Sequence, residues 1–294
     1  MIKKIVRENE AVKSYILDAS FGGKPGQFVN VWLPGVDEKP MSIADDDGNQ
    51  MMLTICEVGA FSKAIAALKV GDRIGIRGPY GKPFSWKPNQ HLVMVAGGYG
   101  AAPLYFVSKI AMTQECTVDF ILGARTKDQL LYLSRLKKLN HGTFQNLKLY
   151  ISTDDGSSGH KGYNVDILAD ILGEVSMENG KMGHEKNRIH FKQRGSDDGK
   201  SFWKSKKKPD WVFTCGPEKM MKRVSDICFQ LKVPAQISVE RFMKCGFGVC
   251  GQCCVDDKGF PVCTEGPVME NSKVRTIKEF GLYHRDCEGR KVFF

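Results

Sequence analysis

Nothing in the 294 residues is long and apolar enough to span a membrane. The longest apolar runs, such as LVMVAGG and AAPLYFV, fall well short of the roughly 20 residues a membrane helix needs. The opening MIKKIVRENEAVK does not read as a secretory leader, because it is charged within its first residues and has no apolar segment of about 7–15 residues. The expectation is a cytoplasmic chain that engages no membrane. There is no internal repeat, and contents of 42% hydrophobic, 26% charged and 10% aromatic residues exclude both a disordered and a fibrous protein. The turn after the strand LVMVAGG, GGYGAAP, also lacks the G-x-G-x-x-G spacing of the dinucleotide fingerprint, and the paired C-x2-C knuckles usual in zinc sites are absent.

What is present in excess is positive charge, +10 in all. Half of it comes from residues 174–208, where ten Lys or Arg face five Asp or Glu. This stretch has no sustained apolar period, and its Gly, Ser and charge content predicts a surface loop or insertion. A nucleic-acid face would set its basic residues on a recognisable fold, so no nucleic-acid partner is expected.

The length suits two or three domains, and the texture changes twice. Residues 1–86 show short alternating runs (VKSYILD, GQFVNVWLPG, MMLTICEVG, DRIGIRGPYG) broken by Gly, Pro and Asp, which predict an antiparallel barrel or sandwich. Over 87–232, buried strand-like runs (LVMVAGG, TVDFILGA, LKLYIST, DWVFTCG) alternate with helix-like segments, which predicts a parallel α/β sheet. Residues 233–294 are too short for a core of their own and call for a metal.

The ten cysteines, with no leader, do not suggest a disulfide framework. Cys56, Cys116, Cys215 and Cys228 lie scattered in apolar text, where a free Cys is usually a small buried hydrophobe. Cys245, Cys250, Cys253 and Cys263, however, stand as C-x4-C-x2-C-x9-C, and the first spacings match plant-type ferredoxins. Gly246, Gly248 and Gly251 lack the Cβ that would hinder a loop wrapping a cluster with its N–H groups turned to the sulfurs. Thiolates also suit zinc, so a structural zinc site is the alternative. Cys254 adjoins Cys253 and is left out of the ligand set. Three Gly-rich turns follow strands: Gly97, Gly98 and Gly100 in GGYGAAP, Thr153 and Asp154 opening TDDGSSGHKG, and Cys215, Gly216 and Pro217 in TCGPEKMM. Each sits where strand C-terminal ends form a ligand crevice. Earlier, KPMSIADDDG and the turn Gly59 to Ser62 precede a strand and a helix, whose free N–H groups suit a pyrophosphate.

In this order the pieces resemble the ferredoxin reductase-like flavoprotein superfamily. With SVERFMKCGFGVCGQCC placed C-terminally, the chain is similar to the electron transfer subunits of NAD-dependent (type B) dihydroorotate dehydrogenase. The resemblance covers nearly all residues except 174–208 and the ending FGLYHRDCEGRKVFF. It implies an FAD-binding β-barrel, an NAD-binding α/β domain and a small C-terminal [2Fe-2S] domain. It places FAD against Lys39, Pro40, Met41, Ser42, Ile55, Cys56, Glu57, Gly59, Ala60, Phe61 and Ser62, and NAD(H) against the three glycine turns. The four spaced cysteines become the cluster ligands, Met243 and Phe247 cover the cluster or face a partner, and no side chain acts as acid, base or nucleophile. Lys39 stands where the family usually has Arg, and Glu57 where it often has a basic residue. Arg125 and Lys127, in GARTKDQ, suit either a 2′-phosphate or a solvated loop. The implied partner is an FMN-containing dihydroorotate dehydrogenase catalytic subunit in a heterotetramer of two of each, serving pyrimidine synthesis. Related subunits serve sulfide dehydrogenases, ferredoxin:NADP reductases and sulfhydrogenases. A zinc-stabilised binding module is the reading from a different class.

Overall fold

The computed structural model describes residues 1–140, 146–173, 176–177, 189–190 and 208–294. The reading of 174–208 as a surface loop therefore falls almost wholly outside the described residues. Six short strands open the chain: β1 (Ile2–Arg7), β2 (Val12–Leu17), β3 (Phe28–Leu33), β4 (Asp37–Asp46), β5 (Met51–Cys56) and β6 (Gly75–Tyr80). They pair antiparallel in the order β1-β2-β5-β4-β3-β6. The sheet curls until its ends meet, the Ile2 N–H donating to the Asp72 carbonyl at 2.8 Å and the Gly71 N–H to the Ile2 carbonyl at 2.8 Å. These two main-chain bonds bring β1 to the turn ahead of β6, and no strand ladder joins β1 to β6. Inside the curled sheet, Tyr15, Val29, Val31, Leu53 and Ile55 pack against α1 (Ala60–Ala66).

The second sheet follows the βαβ logic of the sequence. Strands β7 (His91–Gly97), β8 (Thr117–Ala124), β9 (Leu147–Thr153) and β10 (His160–Lys161) run parallel. An antiparallel pair, β11 (Ser176–Met177) and β12 (Ile189–His190), stands apart. Beyond it β13 (Trp211–Cys215) and β14 (Ala235–Ser238) add to the other edge of β7, and β15 (Val268–Glu270) pairs antiparallel with β14. The strand order is β10-β9-β8-β7-β13-β14-β15. The sheet does not stop at residue 232, because β14 continues it and β15 returns to it from the cysteine-rich part.

Successive residues of a strand point to opposite faces. In β7, Leu92, Met94 and Ala96 join one core with α2 (Ala101–Thr113) and α3 (Leu133–Asn140), while Val93 and Val95 join the other with α4 (Asn164–Leu172) and α5 (Glu218–Leu231). Helix α2 is apolar almost all round because both its sides are covered. Leu104, Val107 and Ala111 pack on the parallel sheet, and Phe106 packs into the barrel core. A polar chain supports this contact: Ser14 bonds Glu8 and Thr54, Thr54 bonds Tyr132, and Arg135 pairs with Glu8 at 2.8 Å. The cysteine-rich part, with α6 (Val262–Glu265) and α7 (Asn271–Val274), shares its core with Phe28 of the barrel and Met221 of α5. The C-terminus is a hairpin, β16 (Tyr283–Arg285) and β17 (Lys291–Phe293). Among the described residues no helix is long and apolar enough to cross a membrane.

Candidate functional site

The cysteine loop is built as its spacing and glycines predict. Gly246, Gly248 and Gly251 have φ of +87°, +88° and +71°, conformations that L side chains rarely adopt. The turns they make bring the thiols together in two pairs. Burial alone would raise the pKa of Cys245, but the N–H groups of Cys250, Phe247 and Val249, with the Cys250 thiol, bring it down to about 6. Burial and then the Cys253 thiol push Cys263 up to about 12, and the Cys263 N–H donates to the Cys253 sulfur at 3.3 Å. Cys263 also feels Cys245 electrostatically. Among the described residues no three metal-binding side chains close around a single ion. Two facing thiol pairs suit a two-iron cluster, in which each iron takes two ligands. Cys254 interacts with Cys253 and Cys250 but lies outside both pairs. Met243 is buried in the local core, whereas Phe247 is half exposed and packs on Tyr80 at 6.2 Å.

The barrel meets this loop directly. Asn30 on β3 donates from Nδ2 to the Lys244 carbonyl at 2.7 Å, and on the neighbouring β4 Pro40 is its register partner. Lys39 pairs with Asp37 at 2.7 Å and lies 5.4 Å from the ring of Phe242, so the KPMS strand runs beside the segment leading into Cys245. Met41 is half-buried against the barrel core and Ser42 is exposed. Ile55 and Phe61 are core side chains, leaving only their backbone for a ligand. Glu57 is paired to Lys13 at 3.3 Å, and Cys56 is partly exposed. In the turn before α1 the Ser62 hydroxyl accepts from the Val58 and Gly59 N–H groups, so Ser62 shapes the turn instead of facing outward. Ala60 is exposed at the same turn.

At the C-terminal ends of the parallel strands two clefts flank the turn Gly216–Pro217. The first, of about 630 Å³, is lined by Gly97, Gly98, Gly123, Arg125, Asp154 and Asn164. The second, of about 700 Å³, lies between Tyr99, Gly216, Glu240 and Phe242 on one side and the C-terminal hairpin on the other. Both are of ordinary ligand-site size and sit at the switch point between β7 and β13. Gly216, at φ +144°, packs against the backbone of Gly97. Thr153 is buried, its hydroxyl donating to the Ser158 carbonyl at 2.9 Å, so it braces the turn that presents Asp154. The Cys215 thiol is fully buried and its pKa is driven upward by burial, which makes it a packing group. Arg125 lines the first cleft; Lys127 does not.

Sequence reasoning missed Asn164, Tyr99 and Glu240. Asn164 opens α4 and donates to the Ala96 carbonyl at 2.9 Å, closing the floor of the first cleft. Glu240 follows β14, and its place at a strand's C-terminal end was the available signal. Its carboxyl is open to the cleft yet walled by protein; lost hydration, then Glu218, push its pKa up to about 7 against the pull of Arg241. Arg241 itself is engaged by Glu218 in a buried pair at 2.6 Å.

Known proteins match this arrangement. The family model for the iron-sulfur cluster binding domain of dihydroorotate dehydrogenase B matches residues 240–275, and that for an oxidoreductase NAD-binding domain matches 94–226. A probable dihydroorotate dehydrogenase B (NAD(+)) electron transfer subunit of Methanocaldococcus jannaschii is 40% identical over 100% of this chain and 97% of its own length. Its counterpart in Methanothermobacter thermautotrophicus is 38% identical over 99% and 95%. Among solved structures, an NADH-dependent reduced ferredoxin-NADP oxidoreductase superposes with a TM-score of 0.70 at 26% identity, over 92% of this chain and 87% of that one. The cytochrome b5 reductase domain of Ulva prolifera nitrate reductase shares the fold, with a TM-score of 0.55 at 16% identity over 79% and 91%. The chain belongs to the family of dihydroorotate dehydrogenase B electron transfer subunits.

Proposed function

We propose that this chain passes electrons between NAD(H) and a catalytic partner subunit, using FAD and a [2Fe-2S] cluster as its own cofactors. The observation that carries this reading is the adjacency of the three sites: Lys39 lies over Phe242, three residues before Cys245, and Glu240 faces the cleft of Gly216. Bound between the other two, a flavin supplies the exchange between the two-electron chemistry of a nicotinamide and the one-electron chemistry of a cluster. The protein's part is to hold and orient.

In this reading residues 1–86 hold the flavin. The strand Lys39, Pro40, Met41 and Ser42 lies along it, the backbone of Ile55 with Cys56 and Glu57 borders it, and the N–H groups of Ala60, Phe61 and Ser62 face its pyrophosphate at a turn that Gly59 shapes by donating to the Ser62 hydroxyl. Lys39 contributes a point charge in place of a two-pronged Arg. Residues 87–232 hold the nucleotide, with Gly97 and Gly98 admitting its close approach while Gly100 packs on the Cys215 backbone behind them, Asp154 bordering the first cleft on the turn that Thr153 braces, and Cys215, Gly216 and Pro217 shaping the crossing between clefts. Residues 233–294 hold the cluster through Cys245, Cys250, Cys253 and Cys263, whose paired thiols and inward N–H groups fit it. Those N–H groups stabilise thiolate charge and tune the site.

The partner is an FMN-containing dihydroorotate dehydrogenase subunit, two copies of each chain forming a cytoplasmic heterotetramer in pyrimidine synthesis. An anaerobic absorption spectrum with iron and zinc analysis tests the cofactors: flavin bands and about two irons per chain, bleached by NADH, are expected. A colourless zinc protein would overturn the reading in favour of a binding module. The chain alone is expected to oxidise NADH with an artificial acceptor and to leave dihydroorotate untouched. Co-purification identifies the partner, and recovery of a second flavoprotein or a hydrogenase in place of an FMN barrel would replace the assignment.

A further inference from the structure

The C-terminal segment FGLYHRDCEGRKVFF lies beyond the motifs that carry the family resemblance, and it folds as the hairpin β16–β17 over the second cleft. His284, Arg285, Asp286, Cys287 and Phe294 form one wall of that cleft, opposite Tyr99, Gly216 and Glu240. The first cleft has only Gly281 from this part of the chain. The hairpin therefore bears on one half of the nucleotide crevice and leaves the other open.

Its attachment is narrow. Arg285 grips Asp256 with two nitrogens, at 2.6 and 2.9 Å, and the Tyr283 hydroxyl donates to the same carboxylate at 2.7 Å. The Gly281 N–H donates to Glu218 at 2.9 Å, which ties the base of the hairpin to the turn between the clefts. Within the hairpin the Phe294 ring packs against His284 with centroids 5.0 Å apart and planes tilted by 54°, and the Phe294 N–H donates to the Leu282 carbonyl at 3.2 Å. Phe294 is thus held beside the cleft by its main-chain bond and by a ring contact.

We propose that the hairpin is the outer wall of the nicotinamide half of the crevice, and that Phe294 and His284 are positioning residues for the nicotinamide end of the nucleotide. This rests on the nucleotide reading above. An aromatic pair and a strand backbone across from Tyr99 exclude water from that half and offer a flat face to a planar ring. The adenosine half, in the first cleft, gains nothing from the hairpin.

The test compares NAD+ with ADP-ribose, which lacks the nicotinamide, by calorimetry on the oxidised, cofactor-loaded protein. Three proteins are used: the full chain, a chain ending at Gly281, and the full chain with Phe294→Ala. Loss of the wall is expected to weaken NAD+ binding by about tenfold in the shortened chain and about threefold in Phe294→Ala, as for removal of an aromatic contact, with ADP-ribose unchanged within about twofold. Equal weakening of both ligands, unchanged NAD+ affinity or tighter NAD+ binding would each overturn the proposal, because the hairpin would then be a structural brace, a bystander or an obstruction. If the full chain binds ADP-ribose but the variants do not discriminate, only the hairpin's role falls. If it binds neither ligand, the nucleotide reading falls and the proposal with it. Phe294→Ala keeps the test decisive should the shortened chain fail to fold.

Discussion

Gly100 and Cys215 face one another across the switch point so closely that a Cβ on Gly100 would overlap the Cys215 carbonyl group. The φ of Gly100 is an ordinary −61°, so the requirement is for space and not for backbone freedom. Gly98 is the opposite case, with open space around its Cβ position but a φ of +54°. Gly100→Ala pits backbone against backbone and should cost about 3 kcal/mol or more, since neither side can repack. Gly98→Ala should cost about 1 kcal/mol, the strain of a left-handed residue. Denaturant titrations of both variants check the ranking, and equal costs would contradict it.

The two thiol pairs separate ligands from bystanders. Serine at Cys245, Cys250, Cys253 or Cys263 is expected to lower iron to well under half of the wild-type content, whereas Cys254→Ser retains it. Iron analysis of anaerobically purified variants is the check. Cluster loss in Cys254→Ser alone would reassign the set.

Glu240 is exposed to the second cleft, close to Glu218, with Arg241 already engaged by Glu218. Its folded pKa of about 7 lies above the ordinary 4.5, so between these values the folded chain binds the extra proton. The resulting contribution to stability is complete below pH 4.5 and is lost as pH rises through 7. Glu240→Gln should flatten this fall, and denaturation midpoints measured across the window will reveal it. A slope identical to wild type would show that Glu240 titrates normally.

Asn30 joins the barrel to the cysteine loop through one buried amide. Asn30→Ala leaves the Lys244 carbonyl without that donor and should cost about 1–3 kcal/mol. Faster bleaching of the cluster by a chelator is the second expected effect. Unchanged stability and unchanged bleaching would mean that the loop holds itself.

Much of the fold was legible because burial imprints a period on the sequence. The alternating runs before residue 86 became β2–β6, with β1 ahead of them unread, and LVMVAGG, TVDFILGA, LKLYIST and DWVFTCG became β7, β8, β9 and β13. The cysteine loop was legible for a different reason: positive φ at Gly246, Gly248 and Gly251 leaves few other residues admissible. The return of β15 was not legible, because a three-residue strand carries too little pattern. Nor were the roles of Phe61 and Ile55, since an aromatic or aliphatic residue reads the same whether it faces a ligand or the barrel core. Glu240 and Asn164 matter through neighbours far away in the chain, and no local spacing reports that. The hairpin residues His284 and Phe294 likewise gain meaning only from the cleft they border.

The ladder between β14 and β15 pairs Gln236 with Glu270, Ile237 with Met269 and Ser238 with Val268. Every residue from 239 to 267 is therefore clamped at both ends to the sheet that borders the nucleotide clefts. A redox group carried on such a segment cannot swing toward a distant acceptor as one on a flexible arm does. Its spacing to the barrel is held by this ladder and by the Asn30–Lys244 hydrogen bond, so internal electron flow proceeds over a constant gap. Phe247 and Val249 stay exposed at the rim of this loop, so an external electron carrier must come to the loop rather than the loop to it.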